Sequence, residues 1–484
     1  MGGNRQLADR LAAAGQGHLI EVLAHATPAD AAALTAQLDE LDLELIARLV
    51  GQFVGHDEVA SAAGPLAPPN AVPLARGPAD EVRDRTARAA GEAALRAGHV
   101  GLVLLAGGQG TRLGFNGPKG NFPFGPVTGM TLFAHHAAKV AAVRTRYGAD
   151  LPWCILTSPA NDAVTRAAFA DAAWFGLDPD SVRFVVQGTL PAVDSATGQL
   201  LLEAPGRLAL SPDGHGGLFL ALRRSGTLDW LADRGVQTMF TFQVDNPLTS
   251  IADPEFLGYH LGAGSDMSNL AVRKREPGER VGVIARRGDQ TIVVEYSDLD
   301  DATAAARDTA GELVLWAGNV ATHFIEAEFA RRLTDDGLRL PYHRAIKKVP
   351  YLAVSGRTVV PDDPNAMKFE TFIFDALPIA RASITVEIPR AAQFSPIKNA
   401  TGSDSPESCR RDMNRLYAGW LEAAGVVVAH DDDGEPVDVE LDPRLALDAA
   451  DVRTRLAGHA PIDRPTALSA PWLATRLGDA DLAR

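Results

Sequence analysis

The sequence contains few cysteines and no long apolar run. Two cysteines in 484 residues, Cys154 and Cys409, are too few for a disulfide framework or a zinc site built from paired cysteines, and they suit a reducing cytoplasm. No apolar run is long enough to cross a membrane, and residues 1–6 lack an apolar signal core. We therefore expect a cytoplasmic protein that does not act at membranes.

The sequence also has no excess of positive charge. Its net charge of −15 argues against nucleic acid or an anionic membrane as a partner. A length of 484 residues allows two or three domains with a sizeable core. An acidic protein that binds phosphate compounds must gather its cations at one place, and a metal ion would help it to do so.

The stretch from Leu104 to Gly120 has the pattern of a phosphate-binding loop. Residues 100–106 are apolar and partly β-branched, which predicts a buried strand. Glycines at positions 107, 108, 110 and 114 follow, and glycine lets backbone N–H groups approach a phosphate. Arg112 and Lys119 add charged donors. A glycine-rich turn without a ligand is the alternative, and the two cations make it less favoured.

Two common phosphate motifs are excluded at this stretch. No Gly-Lys-Ser/Thr sequence follows the glycines, so the loop is not a Walker A loop. Leu113 stands where the dinucleotide-binding fingerprint has its third glycine.

The chain divides into three predicted regions: 1–99, 100–389 and 390–484. The first is helical, with two helices over 5–54, a proline-rich linker at 56–79 and a helix over 79–97. The second alternates apolar runs with helical segments, which predicts an α/β domain with a largely parallel sheet. The third is a small C-terminal domain. Strands are predicted at 153–157, 182–186, 236–244, 281–285 and 383–388. The segment 364–375 is predicted to be helical after its first residues.

The sequence from Leu105 to Gly114, followed by Pro118-Lys119-Gly120, resembles the signature of nucleotide-sugar pyrophosphorylases. The nearest match is the eukaryotic-type UDP-N-acetylhexosamine pyrophosphorylases. The resemblance implies a Rossmann-like, GT-A-like nucleotidyltransferase domain with a mixed, mostly parallel sheet. It also implies the reaction of UTP with a sugar 1-phosphate, most naturally N-acetylglucosamine 1-phosphate, to give a UDP-sugar and pyrophosphate.

Several nucleotide-binding residues follow from the resemblance. They are the loop residues Leu105, Ala106, Gly107 and Gly108, together with Gln187 and Gly214. Gln187 comes directly after the apolar run 182–186, and the family uses the matching Gln to contact uracil, for which an amide offers one donor and one acceptor. Gly214 lies in a second glycine cluster, 212–217, that matches a loop over base and sugar.

The resemblance also implies sugar-binding residues, namely His215, Glu295, Tyr296 and Asn319. Glu can accept two hydroxyl hydrogen bonds, and a Tyr ring can cover an apolar sugar face. The segment around Asn319 favours the N-acetylhexosamine branch. His215 replaces the usual Asn of that branch, and enzymes that make UDP-glucose or a broad range of UDP-sugars more often carry His there.

The implied catalytic groups are charges rather than a nucleophile. Asp245 ends a strong apolar run, and a carboxylate there is a good Mg²⁺ ligand that matches the family's metal-holding Asp. Arg112 is the candidate for the leaving pyrophosphate, and Lys119 and Lys398 for the reacting phosphates. A sugar phosphate is already an anion, so no general base is needed and no Ser–His–Asp arrangement is expected.

Three alternatives stay open from the sequence. The first is a different pair of substrates, above all glucose 1-phosphate with UTP, as His215 suggests. The second is a non-catalytic nucleotide-sugar sensor, which could have lost the four charged residues that this chain retains. The third is a dinucleotide-dependent oxidoreductase, which Leu113 makes unfavourable. The oligomeric state is left open.

Overall fold

The computed structural model describes residues 2–56, 64–74, 77–353 and 355–469. Within these ranges, fifteen α-helices occur. They are α1 Gly2–Ala13, α2 His18–His25, α3 Pro28–Glu40, α4 Leu43–Phe53, α5 Pro78–Arg96, α6 Leu132–Tyr147, α7 Asp162–Asp171, α8 Leu218–Arg224, α9 Thr227–Ala232, α10 Pro254–Gly262, α11 Asp301–Ala305, α12 Ala327–Arg332, α13 Arg390–Gln393, α14 Pro406–Ala423 and α15 Ala449–Leu456.

The same ranges contain twenty-one β-strands. They are β1 Ala71–Val72, β2 Val100–Leu105, β3 Trp153–Thr157, β4 Val182–Val186, β5 Thr189–Pro191, β6 Val193–Asp194, β7 Leu202–Ala204, β8 Arg207–Leu208, β9 Leu210–Pro212, β10 Thr238–Gln243, β11 Met267–Arg273, β12 Val283–Arg287, β13 Gln290–Val294, β14 Ala317–Glu326, β15 His343–Lys347, β16 Tyr351–Leu352, β17 Thr358–Val359, β18 Ala366–Glu370, β19 Thr385–Glu387, β20 Val439–Leu441 and β21 Thr466–Leu468.

The chain forms two compact units. The helical unit comprises Met1–Ala63, Gln187–Leu220 and Asp336–Asp375, and the sheet unit comprises Gly64–Val186, Ala221–Asp335 and Ala376–Arg484. Both units are discontinuous along the chain, since they follow packing rather than chain order. The division into three consecutive domains at 1–99, 100–389 and 390–484 stays a prediction.

The helical unit is built from α1–α4 and short antiparallel strands. Helix α3 starts at Pro28, because the Thr27 side chain accepts a hydrogen bond from the Asp30 N–H and proline is favoured in the first turn. The prediction of two helices over 5–54 was wrong, because four short helices occupy this stretch. Their buried leucines share a core with Val193, Met367 and Phe369.

The predicted helix at 364–375 was also wrong. Residues Ala366–Glu370 form β18, which pairs antiparallel with β15 and β6. Met367 and Phe369 alternate towards the core of the helical unit, and this alternation fits a strand.

The sheet unit contains a ten-stranded sheet with the order β1-β19-β11-β14-β10-β2-β3-β4, to which β12 and β13 are added at β14. Strand β14 runs antiparallel to β10 and β11, and the other pairs along this order are parallel. The predicted mixed, mostly parallel sheet is therefore confirmed. All six residues of β2 are buried, as expected of a central strand covered on both faces.

Parallel pairing brings the ends of β2 and β10 together. Leu105 pairs with Gln243, and the Val244 N–H donates to the Leu105 carbonyl at 3.2 Å. The glycine loop after β2 and Asp245 after β10 therefore emerge side by side at the carboxyl edge of the sheet. Helices α14 and α15 with β20 and β21 add their buried residues to the same core as this sheet. Among the described residues, no helix is both long enough and apolar enough to cross a bilayer.

Candidate active site

The glycine loop after β2 closes on itself through backbone hydrogen bonds. The Gly110 N–H donates to the Gly117 carbonyl at 2.8 Å, and the Lys119 N–H donates to the Gly108 carbonyl at 3.1 Å. These bonds return the chain to the end of β2 and place Lys119 beside the first glycines. The loop is thus a closed turn rather than an extended connection.

The glycines of this loop serve different purposes. A Cβ on Gly110 would lie 2.7 Å from the Phe115 ring, and one on Gly120 would lie 2.2 Å from the Phe133 ring, so internal packing requires both glycines. Gly114 has a φ of +69°, which favours glycine on backbone grounds. A Cβ on Gly108 would meet no atom within 4 Å. Gly108 and Gly114 both leave open space beside the backbone, and only at Gly108 does neither packing nor a positive φ account for the glycine.

Asn161 fixes the start of the loop, and the sequence analysis missed it. Its Nδ2 donates to the Ala106 carbonyl at 2.9 Å, and its Oδ1 accepts from the Ser158 N–H at 2.8 Å. The residue is 1% exposed and follows β3, next to β2 in the sheet. A polar residue just after a predicted strand was the signal that could have indicated it.

Lys119 and Asp245 form an ion pair at this edge of the sheet. Their Nζ and Oδ2 atoms lie 3.0 Å apart, and the side chains are 17% and 16% exposed. Partial burial leaves both charges less screened than a surface pair. Two residues singled out from distant parts of the sequence therefore meet in the structure.

Lys398 belongs to the same region through the backbone. The Ile397 N–H donates to the Asp245 carbonyl at 2.8 Å. The Lys398 Nζ lies 5.7 Å from the centre of the Phe394 ring and 3.9 Å from Asp404 Oδ2. Lys398 is 44% exposed, so its ammonium is held loosely at the surface of the sheet unit.

Arg112 also faces solvent. It lies in a 3₁₀ turn, Thr111–Leu113, and its side chain is exposed. Among the described residues, its guanidinium has no hydrogen-bond or ion-pair partner. Its five donors are available to a ligand.

Three side chains of α6 hold the segment that carries Asp245. The Nε2 atoms of His136 and His135 donate to the carbonyls of Val244 and Pro247, at 3.0 Å and 3.1 Å. Burial lowers the pKa of His136 to about 3, so the ring is neutral in this role. Lys139 donates to the carbonyls of Pro247 and Thr249, and burial lowers its pKa to about 7.

The predicted sugar-binding residues of the sheet unit gather around Gly282. The Asn319 N–H donates to the Gly282 carbonyl at 2.8 Å, and a Cβ on Gly282 would lie 3.5 Å from Glu295 Oε1. The Asn319 side chain accepts from the Ala321 N–H at 2.9 Å, where the register of β14 against β11 shifts. Tyr296 follows Glu295 and is 46% exposed, so its ring could cover a ligand.

Gln187, Gly214 and His215 lie in the helical unit. The Gln187 Nε2 donates to the Gly214 carbonyl at 2.6 Å, which leaves the amide oxygen as an acceptor. A Cβ on Gly214, whose φ is +83°, would lie 2.2 Å from the Thr371 carbonyl oxygen. Gly214 is therefore required by packing against the residues after β18.

His215 is a neutral ring with a fixed tautomer. Its Nδ1 accepts a hydrogen bond from the Ile373 N–H at 3.0 Å, so the proton resides on Nε2. The rings of Phe372 and Phe374 lie 5.3 Å and 5.7 Å from it, measured between centroids. Burial lowers the pKa of His215 to about 4. His215 can therefore offer a hydrogen-bond donor but no charge at neutral pH.

The residues that could hold a metal ion are few. Within the described part of the chain, no group of three or more His, Cys, Asp or Glu side chains is placed to hold a metal. Asp245 offers a carboxylate next to the glycine loop, through its ion pair with Lys119. This fits Mg²⁺, which is commonly bound through one or two carboxylates with substrate phosphates and waters as further ligands.

The carboxyl edge of this α/β sheet carries a closed glycine loop, two cations and one carboxylate. These groups place the protein in the class of enzymes that act on phosphate compounds. Comparison with known proteins identifies the family within this class. Residues 77–404 match the family model of UTP–glucose-1-phosphate uridylyltransferase (UDPGP). The chain therefore belongs to this family of nucleotidyltransferases.

Individual relatives agree with the family. The chain is 35% identical to UDP-N-acetylglucosamine diphosphorylase 1 of Arabidopsis thaliana, covering 94% of this chain and 92% of the relative. It is 38% identical to UDP-N-acetylglucosamine pyrophosphorylase of Saccharomyces cerevisiae, over 69% and 72% of the two chains. The crystal structure of the Trypanosoma brucei uridine diphosphate N-acetylglucosamine pyrophosphorylase, in complex with an inhibitor, superimposes with a TM-score of 0.78 at 25% identity, over 99% and 96% of the chains.

Proposed function

We propose that the protein transfers the uridylyl group of UTP to N-acetylglucosamine 1-phosphate and releases pyrophosphate. The observation that carries the proposal is the meeting of Lys119, Asp245 and the Lys398 segment beside the glycine loop. Two polyanions must meet in this reaction, and a site with cations around one carboxylate suits that task. The names of the relatives supply the choice of nucleotide and sugar.

The residues of the sheet unit would act by positioning and charge. The loop from Leu105 to Gly108 would receive the nucleotide. Arg112, whose guanidinium pairs with no other described residue, would bind the leaving pyrophosphate. Lys119 and Lys398 would hold the reacting phosphates while the sugar phosphate attacks the α-phosphorus in line. Asp245 would hold Mg²⁺, which when bound would offset charge on the phosphate oxygens.

Two groups of neutral or acidic side chains would select the substrates. In the sheet unit, Glu295, Tyr296 and Asn319 would contact the sugar around Gly282. In the helical unit, the Gln187 amide would contact uracil, Gly214 would shape the loop, and the His215 Nε2–H would donate to the sugar.

A panel of substrates tests the proposal. Pyrophosphate release is measured with Mg²⁺, with UTP or GTP, and with the 1-phosphates of N-acetylglucosamine, N-acetylgalactosamine, glucose and galactose. We expect the highest kcat/KM for UTP with N-acetylglucosamine 1-phosphate. Release with none of the pairs would contradict the proposal and favour a nucleotide-sugar sensor.

His215 supports a second candidate, UTP with glucose 1-phosphate. Its ring stands where N-acetylhexosamine enzymes usually have Asn, and its fixed Nε2–H could serve a glucose hydroxyl. A preference for glucose 1-phosphate in the same panel would select this candidate.

The metal assignment needs a separate measurement. Asp245→Ala should weaken the response of pyrophosphate release to Mg²⁺, because the metal would lose its protein carboxylate. An unchanged Mg²⁺ titration would exclude Asp245 as the metal ligand. Direct binding of Mn²⁺ to wild type and variant gives the same comparison without turnover.

A further inference from the structure

The segment that carries Asp245 is joined to the segment that carries Lys398 by one buried amide. Asn246 is 3% exposed, and its Nδ2 donates to the Gln393 carbonyl at 2.8 Å. Its Oδ1 accepts from the Ser395 N–H at 3.1 Å. One side chain thus forms hydrogen bonds with a backbone carbonyl and a backbone N–H two residues apart, as the backbone of a neighbouring strand would.

A backbone hydrogen bond completes the connection. The Ile397 N–H donates to the Asp245 carbonyl, one residue before Lys398. Asn246 and this bond together fix residues 393–397 along the Asp245 segment. The loose Lys398 side chain, which is 44% exposed, therefore starts from a backbone whose position is well determined.

The opposite side of the Asp245 segment is also held. His136 donates to the Val244 carbonyl, and Lys139 donates to the Thr249 carbonyl. The segment cannot shift away from α6 without breaking these buried bonds. A change at Asn246 would therefore be felt mainly on the side of residues 393–397.

Asparagine is the side chain that this position requires. Aspartate would keep the acceptor for the Ser395 N–H but would turn a second oxygen towards the Gln393 carbonyl. Alanine would leave both backbone groups without their partner. The Asn246 Nδ2 also donates to the nearby Thr249 Oγ1 at 2.8 Å. Nothing in the sequence singles out Asn246 as a link to residues 393–397, since those two partners lie 147 and 149 residues away along the chain.

We propose that Asn246 is a positioning residue that sets the location of Lys398 relative to Asp245. The inference rests on the proposed function, in which these two charges act on the same phosphates. Misplacing a catalytic group by about 1 Å can cost roughly a hundredfold in rate. Asn246 therefore contributes to kcat without touching substrate.

The test compares Asn246→Ala and Asn246→Asp with a matched control, Asn414→Ala. Asn414 is 6% exposed, and its side chain likewise spans a backbone carbonyl and a backbone N–H, those of Pro436 and Val439, both at 2.8 Å. It lies in α14 within the same unit. Removing it should destabilise the fold to a similar degree without displacing Lys398.

Hydrogen exchange tests the connection without substrate. In Asn246→Ala the amides of Ser395 and Ile397 should exchange at least tenfold faster than in wild type, and in Asn414→Ala they should not. Unchanged exchange at these amides would overturn the inference even if the wild type proved inactive on every sugar phosphate. Such inactivity would itself count against the proposed function only.

Kinetics then test the positioning. We expect both Asn246 variants to lower kcat roughly ten- to a hundredfold with KM for UTP within about threefold, while Asn414→Ala keeps kcat. In a Lys398→Ala background the loss from Asn246→Ala should shrink to about threefold or less, since the residue it positions is gone. Equal kcat losses in the Asn246 and Asn414 variants, or fully multiplicative losses with Lys398→Ala, would overturn the proposal.

Discussion

Residues 107–120 of the sheet unit and residues 213–217 of the helical unit are both glycine-rich, but they differ in charge and in what their glycines contact. The first loop carries Arg112 and Lys119, and its Gly108 faces open space. The second loop carries the neutral His215, and Cβ atoms at Gly214 and Gly217 would clash with neighbouring protein atoms at 2.2 Å. The first is suited to bind anions. The second, whose Asp213 carboxylate is buried against Gly188 and Gly217, is suited to present a shaped surface without positive charge.

The comparison shows that a glycine cluster alone does not identify a phosphate site. Gly217 is packed against the Asp213 carboxylate, and Gly216 against the backbone of Phe372. Such glycines are required by the fold itself, whatever the ligand. What separates the two loops is the position of fixed positive charge relative to the open side of the backbone.

The largest expected effect is the loss of rate when a positive charge is removed from the first loop. Lys119→Met should lower kcat about a hundredfold, the scale of losing one donor that stabilises charge in the transition state. Initial rates of pyrophosphate release give the value. Arg331→Met is the control, because it removes a partly buried cation paired with Asp229, 2.7 Å away, elsewhere in the sheet unit.

The control should keep the wild-type rate. If Lys119→Met also keeps it, the first loop does not work through this charge, and the distinction between the two loops fails at its strongest point.

The second prediction concerns the glycines. Gly214→Ala should destabilise the protein by about 2 kcal/mol or more, because it adds a clash with the Thr371 carbonyl to an unfavourable positive φ. Gly15→Ala, with a φ of +73° and no atom within 4 Å of the new Cβ, should cost about 1 kcal/mol through the backbone alone. Urea denaturation measures both variants.

Gly108→Ala should behave in the opposite way. Its new methyl group meets no protein atom, so the urea midpoint should stay at the wild-type value while KM for UTP rises. A destabilised Gly108→Ala, or a Gly214→Ala no worse than Gly15→Ala, would remove the contrast between an open and a packed glycine.

The third prediction concerns His215, the neutral side chain of the second loop, and its contact with the sugar. His215→Asn should change the ratio of kcat/KM for N-acetylglucosamine and glucose 1-phosphates by about tenfold or less, as expected for one altered hydrogen-bond contact. His343→Asn is the control, because that ring stacks on Phe372 at 4.7 Å but was not predicted to contact sugar. Equal shifts in both variants would mean that His215 affects the loop only through packing.

The sequence was sufficient to predict a glycine loop at the end of a buried strand in a mostly parallel sheet, but not that β2 and β10 are neighbours. Once β2 and β10 are parallel and adjacent, their carboxyl ends must coincide, and Asp245 must lie near Gly107 and Gly108. The alternation of apolar runs and helices was enough to predict such a sheet. The individual assignments of ligand contacts stay predictions.

The contacts that the sequence could not predict are long-range and polar. Asn161 and Asn246 bind backbone groups whose proximity depends on the whole sheet, so a local pattern can mark a polar residue after a strand but cannot identify these partners. The error at 364–375 has a related cause. Phe369, Phe372 and Ile373 fit a helical stripe. The pairing of β18 with β15 and β6, whose paired residues lie 19 or more positions away in sequence, decides the outcome.

The smallest expected effect is the pH dependence that the second loop gives to stability. Burial lowers the pKa of His215 to about 4, below its ordinary value of 6.5. As the pH falls below about 6.5, the unfolded chain takes up a proton that the folded ring refuses, so folded-state stability must fall with pH until about 4. Because the residue is partly exposed, we expect a loss of about 1 kcal/mol at pH 5 rather than the full value of the shift.

His215→Asn should remove this loss. The difference between the urea midpoints at pH 7 and pH 5 should be smaller in the variant than in wild type, and unchanged in His25→Asn, whose ring is exposed at the end of α2. If wild type and His215→Asn lose the same stability on acidification, the ring accepts its proton at little cost. The second loop could then carry a positive charge near neutral pH, and charge would no longer distinguish it from the first.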